Sequence, residues 1–168
     1  MPSRPDSPRP PEPPEIEPEF RLLPGQWVGI CLLLAIPLLA LAGVFGESRE
    51  TGRARTAELA IQVSHPDRFR FKMLSGLRVD VTNTTAAVLD TVTIDIDTAY
   101  LGRFSTVAAI PAFERPYTIR LIDLEPGETR RVQVEIQGEH YGRHHGEIRI
   151  GAAGADTARL PVRTFVFP

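Results

Sequence analysis

The chain has 168 residues, with 21 acidic and 19 basic side chains, four histidines and one cysteine, and a formal net charge of −2. From Thr56 onward the count is 14 acidic to 13 basic, without the basic excess or stripe of a nucleic-acid binder, so no nucleic-acid partner is expected. The lone Cys31 excludes an intrachain disulfide.

Residues 1–26 hold nine prolines, five acidic residues and three arginines. Such a segment cannot assemble a core and reads as a solvated, partly extended tail. Trp27 to Phe45 then runs nineteen residues without a charge. As a helix it spans roughly 28 Å, close to the hydrocarbon thickness of a bilayer. The lipid bilayer is therefore the expected partner of Trp27–Phe45, with Trp27 and Phe45 suited to the two interfaces. Ala40-Leu41-Ala42 also fits the small-x-small pattern of a signal-peptide cleavage site. The acidic, proline-rich leader lacks the short basic start of a signal, which favours an uncleaved anchor. Pro37 falls mid-span and is tolerated there as a kink. Cys31, flanked by apolar residues on both sides, reads as a lipid-facing side chain. Three arginines on each side of the span leave the positive-inside rule nothing to decide. The short tail and Arg21 near the start of the span favour a cytoplasmic N-terminus and an extracytoplasmic C-terminal domain.

Residues 46–55 read as a linker, at most about 33 Å when extended. From 56 to 168 apolar residues alternate with polar ones and turn residues recur at short intervals. Leu59, Ile61 and Val63 alternate with polar neighbours, as do Leu77, Val79 and Val81, then Val92, Ile94 and Ile96. Val132, Val134 and Ile136 repeat the pattern, and Ile148 and Ile150 flank Arg149. Phe104–Ile110 and Tyr117–Leu124 are less regular candidates, and Thr157–Phe167 supplies the last. These are half-buried strands. Seven or eight of them without a convincing helix predict an all-β domain of two packed sheets preceded by one transmembrane helix.

Two turn motifs sharpen that class. Asp80-Val81-Thr82-Asn83-Thr84-Thr85 places a turn-forming Asn after an alternating strand, and Leu124-Glu125-Pro126-Gly127-Glu128 places a Pro-Gly turn between two strands. With the strand patterns around them they resemble the bacterial immunoglobulin-like domains of cell-surface and membrane-accessory proteins. The accessory domain that ends a family of cytochrome oxidase assembly ferredoxins is one such relative, although no iron–sulfur cysteine motif precedes it here. The resemblance covers most of residues 57–166 and implies an immunoglobulin-like sandwich serving as an accessory module. Arginine outnumbers lysine 18 to 1, a bias suited to a GC-rich bacterial genome.

No catalytic signature follows. Ser64-His65 and Ser75 come without a nucleophile elbow or oxyanion loop, and no glycine-rich phosphate loop occurs, so no enzyme and no cofactor is expected. Glu139 to Glu147 gathers three of the four histidines, and His140, His144 and His145 are the metal candidates, for zinc or copper. Adjacent His144 and His145 point to opposite faces if extended, and Arg143 repels a cation. Gly142 and Gly146 favour a plain polar turn, with Tyr141 as a contact residue. Asp90, Asp95 and Asp97 read as a solvated face rather than a calcium site. Asn83-Thr84-Thr85 matches a glycosylation acceptor.

In the last strand Pro161 cannot donate to a ladder, which predicts an edge position or a bulge. At Phe165-Val166-Phe167 both faces are apolar, marking either burial by sandwich closure or a docking strand for a partner subunit. Tyr100 to Pro116 reads as a long connection, with Tyr100, Phe104 and Phe113 as candidate binding residues. The expected function is a non-enzymatic single-pass protein docking onto a membrane-protein partner through Tyr100, Phe104, Phe113, Tyr141, Phe165 and Phe167. The alternative is an envelope ligand- or metal-binding module.

Overall fold

A computed structural model describes residues 23–41, 43 and 46–168, and the chain divides into two compact units between residues 42 and 43. Residues 1–22 of the expected 1–26 tail and the Phe45 end of the expected span lie outside the described residues, while residues 24–26 of that tail are helical. In the first unit α1 runs Pro24–Leu41, eighteen residues, beginning three residues before the expected Trp27. Proline suits this start, because the first helical N–H needs no acceptor. Pro37 is accommodated inside the helix. Among the described residues α1 is the one helix long and apolar enough to cross a membrane, a test that signal sequences also pass.

The second unit is a β-sandwich of nine strands: β1 (Ser48–Arg55), β2 (Leu59–Arg70), β3 (Leu74–Asn83), β4 (Leu89–Ile96), β5 (Phe104–Ile110), β6 (Thr118–Leu124), β7 (Thr129–Gly138), β8 (Gly142–Ala152) and β9 (Thr157–Phe167), with a one-turn helix α2 (Thr98–Leu101) before β5. The strand order is β5-β7-β3-β2-β9-β8-β4-β6, with β1 added on β2. Two layers are therefore joined along one seam. The β5-β7-β3-β2 layer meets the β9-β8-β4-β6 layer where Arg68–Arg70 pair in parallel with Phe165–Phe167. All other pairings are antiparallel.

Period-two patterning decides what lies between the layers. Leu59, Ile61, Val63, Leu77, Val79, Val81, Val132, Val134 and Ile136 face inward from one side. Val92, Ile94, Ile96, Ile119, Leu121, Ile148, Ile150, Leu160 and Val162 face them from the other. The all-β sandwich of two packed sheets expected from the alternation is thus the observed fold, with nine strands instead of seven or eight.

The extra strand corrects the expected linker at 46–55. Ser48–Arg55 pairs with β2 along its length, with a bulge between Ser48 and Arg49. Its sequence carries no large apolar residue, because the strand adds backbone hydrogen bonds rather than core. Gly52 lies where a side chain would meet Leu160, whose Cδ2 is 3.0 Å from the position of a Cβ. The small residues Gly52 and Ala54, alternating with Arg53 and Arg55, were the available signal.

Strand β9 also departs from expectation: it lies between β2 and β8, not at an edge. Proline is tolerated there because the β2 ladder reaches β9 only at Phe165–Phe167, while Pro161 is opposed by Glu147 of β8. A second proline, Pro66, sits where β2 changes partners, after its β3 ladder ends at Ser64 and before its β9 ladder begins at Arg68.

Candidate interaction surface

The side chains of β9 alternate without interruption, from Ala158 and Leu160 through Val162 and Thr164 to Val166 on the buried side. Period two therefore puts Phe165 and Phe167 together on the outer face, their rings stacked with centroids 6.4 Å apart. Neither phenylalanine enters the core; Thr164 and Val166 take those positions. Phe165 keeps 43% of its surface exposed. The same end of the sandwich gathers two more aromatics. Phe71 donates its backbone N–H to the Phe167 carbonyl at 2.8 Å, and its ring lies 4.3 Å from that of Tyr141, which is 57% exposed. The Lys72 ammonium sits 5.2 Å over the Phe71 ring. Phe71 is the member of this group that alternation alone did not reveal. It follows β2 by one residue, in phase with Phe69, and is half-buried against the core where Lys72 turns the chain with φ 61°.

The remaining aromatic candidates are placed differently. Tyr100 and Phe104 are core residues and not part of a binding loop, because α2 and β5 occupy most of the expected connection. Asp97 caps α2, its Oδ1 accepting the Ala99 N–H at 2.8 Å, and the turn drives Tyr100 and Leu101 inward. Phe104 packs between Phe69, Tyr100 and His144, with centroids at 6.1, 5.1 and 5.3 Å. Phe113 is half-buried against the core, edge-on to Tyr117 at 5.9 Å.

Tyr100 also anchors a buried polar chain. Its hydroxyl lies 2.8 Å from Thr164 Oγ1, and Thr164 donates its proton to the Pro66 carbonyl at 2.8 Å. The tyrosine is therefore the donor to Thr164. Burial pushes its phenol up to about 12. Above the ring runs Gly146, where a Cβ would overlap the Cβ of Tyr100. That corrects the expected turn at Glu139–Glu147: from Gly142 onward the segment is β8, and Gly146 is small to admit a tyrosine rather than to turn the chain.

The three candidate histidines do not converge. His144 faces the Phe104 side and bonds through Nε2 to the His140 carbonyl at 2.8 Å, while His145 is exposed on the opposite face of β8. Among the described residues no three His, Cys, Asp or Glu side chains form a metal-binding group. Asp95 accepts the Thr118 hydroxyl at 2.8 Å and Asp97 is engaged at α2.

The two turn motifs lie against each other. Asn83 is buried, and its amide donates to the carbonyls of Ala87 and Leu124 at 2.8 and 2.9 Å while its Oδ1 accepts the Thr85 N–H at 2.8 Å. Its backbone bonds Glu128 and Gly127 across the gap, both at 3.0 Å. Asn83 is a structural clamp with no amide hydrogen free for a glycan. The Arg130 guanidinium, 2.8 Å from Glu128, holds that carboxylate below its ordinary range.

No family model matches the chain, and no curated protein matches it. Solved structures that resemble it are β-sandwich domains of diverse proteins. The SrpA adhesin of Streptococcus sanguinis matches at 14% identity and TM-score 0.43, over 68% of this chain and 59% of that one. A Caenorhabditis elegans MSP family member, WR4, matches at 7% and 0.39, over 67% and 100%. A PapD-like domain of human CEP192 matches at 11% and 0.36, over 68% and 89%. At such values the fold assignment rests on the strand pairings themselves.

Proposed function

We propose that this is a non-enzymatic, single-pass membrane protein whose extracytoplasmic sandwich docks as an accessory subunit onto a larger membrane complex. The observation that carries the reading is the aromatic end of the sandwich: exposed Tyr141 and Phe165, backed by half-buried Phe71 and Phe167, on a domain whose core is already filled. Stacked aromatics on a surface bury large area at low entropic cost when a partner covers them, and such residues anchor interfaces. The uncharged helix α1 is consistent with an anchor that holds the domain at a bilayer. A respiratory or transport complex is the partner class in keeping with the resemblance to oxidase-assembly accessory domains.

The test is co-purification of the tagged full chain from its native host under gentle solubilisation. A stoichiometric membrane complex that is lost with Phe165→Ser and Tyr141→Ser supports the reading. A chain that purifies alone, or a complex indifferent to both substitutions, contradicts it.

A further inference from the structure

Beside the aromatic end, and sharing Phe165 with it, the outer face of β8 and β9 carries a cavity whose basic side chains the docking reading does not use. Arg68 of β2 pairs in register with Phe165 of β9, and Phe165 with Arg143 of β8, so the three form one cross-strand row. Two residues along, Arg163 opposes His145 on the same face. With Asp67 these side chains line an open cavity of about 310 Å³. Arg130, Arg131 and Arg149 are each committed to a neighbouring carboxylate, whereas Arg68, Arg143 and Arg163 form no ion pair among the described residues. The Nε of Arg68 is buried and bonds to no acceptor there. Buried guanidinium donors are rarely left so, and this one asks for an acceptor from outside the chain.

We propose that this cavity binds a phosphoryl group. Three guanidiniums against Asp67 leave a formal charge of +2 on the lining, which matches the roughly −1.5 to −2 of a phosphate monoester near neutral pH. The planar guanidinium fork bonds such oxyanions through two parallel donors, a fit that lysine lacks. Phe165, exposed at the centre of the row, gives a flat apolar wall for the organic part of the ligand. A phospholipid headgroup and a soluble phosphate compound present the same chemistry to these side chains.

Titration calorimetry on the full chain in a neutral maltoside detergent tests this with two probes, inorganic phosphate and the short-chain lipid dihexanoylphosphatidic acid. Dihexanoylphosphatidylcholine serves as the zwitterionic control. Saturable binding of either probe is expected, each of Arg68→Gln, Arg143→Gln and Arg163→Gln weakening it by about tenfold, the loss of one charge-assisted donor. Arg78→Gln on the other layer should leave it unchanged. A lipid preference of about tenfold or more identifies a headgroup as the source, and equal affinities identify a soluble phosphate compound. Arg143 and Arg163 are exposed, so their variants stay folded even if Arg68→Gln does not, and a matching unfolding midpoint verifies this. Absence of saturable binding by both probes overturns the proposal, as does binding that Arg143→Gln and Arg163→Gln leave intact. The measurement uses the chain alone and is independent of whether a partner co-purifies.

Discussion

Tyr100 ties three parts of the sandwich together at a single residue. Its ring supports Phe104, its hydroxyl reaches Thr164, and Thr164 reaches the carbonyl of Pro66 where β2 changes layers. Because burial raises the folded phenol to about 12 from 10.0, the unfolded chain releases this proton first as the solution becomes alkaline. The stabilisation is fully present below pH 10 and is lost as the pH rises toward 12. Denaturant melts across that window should show a decline that Tyr100→Phe lacks, while the variant costs about 1 kcal/mol at neutral pH for the lost hydrogen bond. An undiminished alkaline decline in the variant would assign the effect to another group. Gly146→Ala tests the other side of the ring. With no room for a Cβ, it should lower stability by roughly 2 kcal/mol or more, read as a shifted urea midpoint at unchanged slope.

At the scale of elements, the sandwich depends on two turns that bond each other. Asn83→Ala removes the amide that bonds the buried Leu124 carbonyl, while the exposed Ala87 carbonyl keeps the Thr85 hydroxyl, and should cost about 1–3 kcal/mol. Gly127, at φ 74°, accepts a conformation that a Cβ opposes, so Gly127→Ala should cost about 1 kcal/mol. Because the Gly127 N–H bonds the Asn83 carbonyl, the double variant should lose less than the sum, measurable as a coupling energy in a double-mutant cycle. Strict additivity would show that the turns act separately. These positions were visible in the sequence as turn chemistry; that one of them clamps the other was not. Strand β1 left only the alternation of Gly52 and Ala54 with Arg53 and Arg55, for a different reason. Its side chains contribute almost nothing to the core, and a strand held by backbone pairing leaves no apolar period to read.

For the whole molecule, two units of different character lie along the chain: an apolar helix and a sandwich with its own closed core. The sandwich begins at β1, so a fragment from residue 43 to 168 should unfold in one cooperative transition. A fragment that starts at Thr56 drops β1, exposes the β2 edge, and should melt at a lower temperature or aggregate. Equal melting temperatures for the two fragments would make β1 dispensable. Calorimetry of both decides between these outcomes.

Alternating Val, Ile and Leu were enough to determine an all-β domain, its two faces and most of its core, because burial on a pleated strand repeats every two residues whatever the topology. An uncharged run of membrane length was equally plain. Which strands become neighbours was not, since any inward-facing strand can pair with several others and the choice depends on contacts distant in sequence. That choice put β9 inside the sheet, sent Phe104 to the core, and left Phe165 and Phe167 outside. It also assembled Arg68, Arg143 and Arg163, 95 residues apart at the extremes, on one face. A surface built from three strands exists only after the strands have paired, so tertiary structure alone decided it.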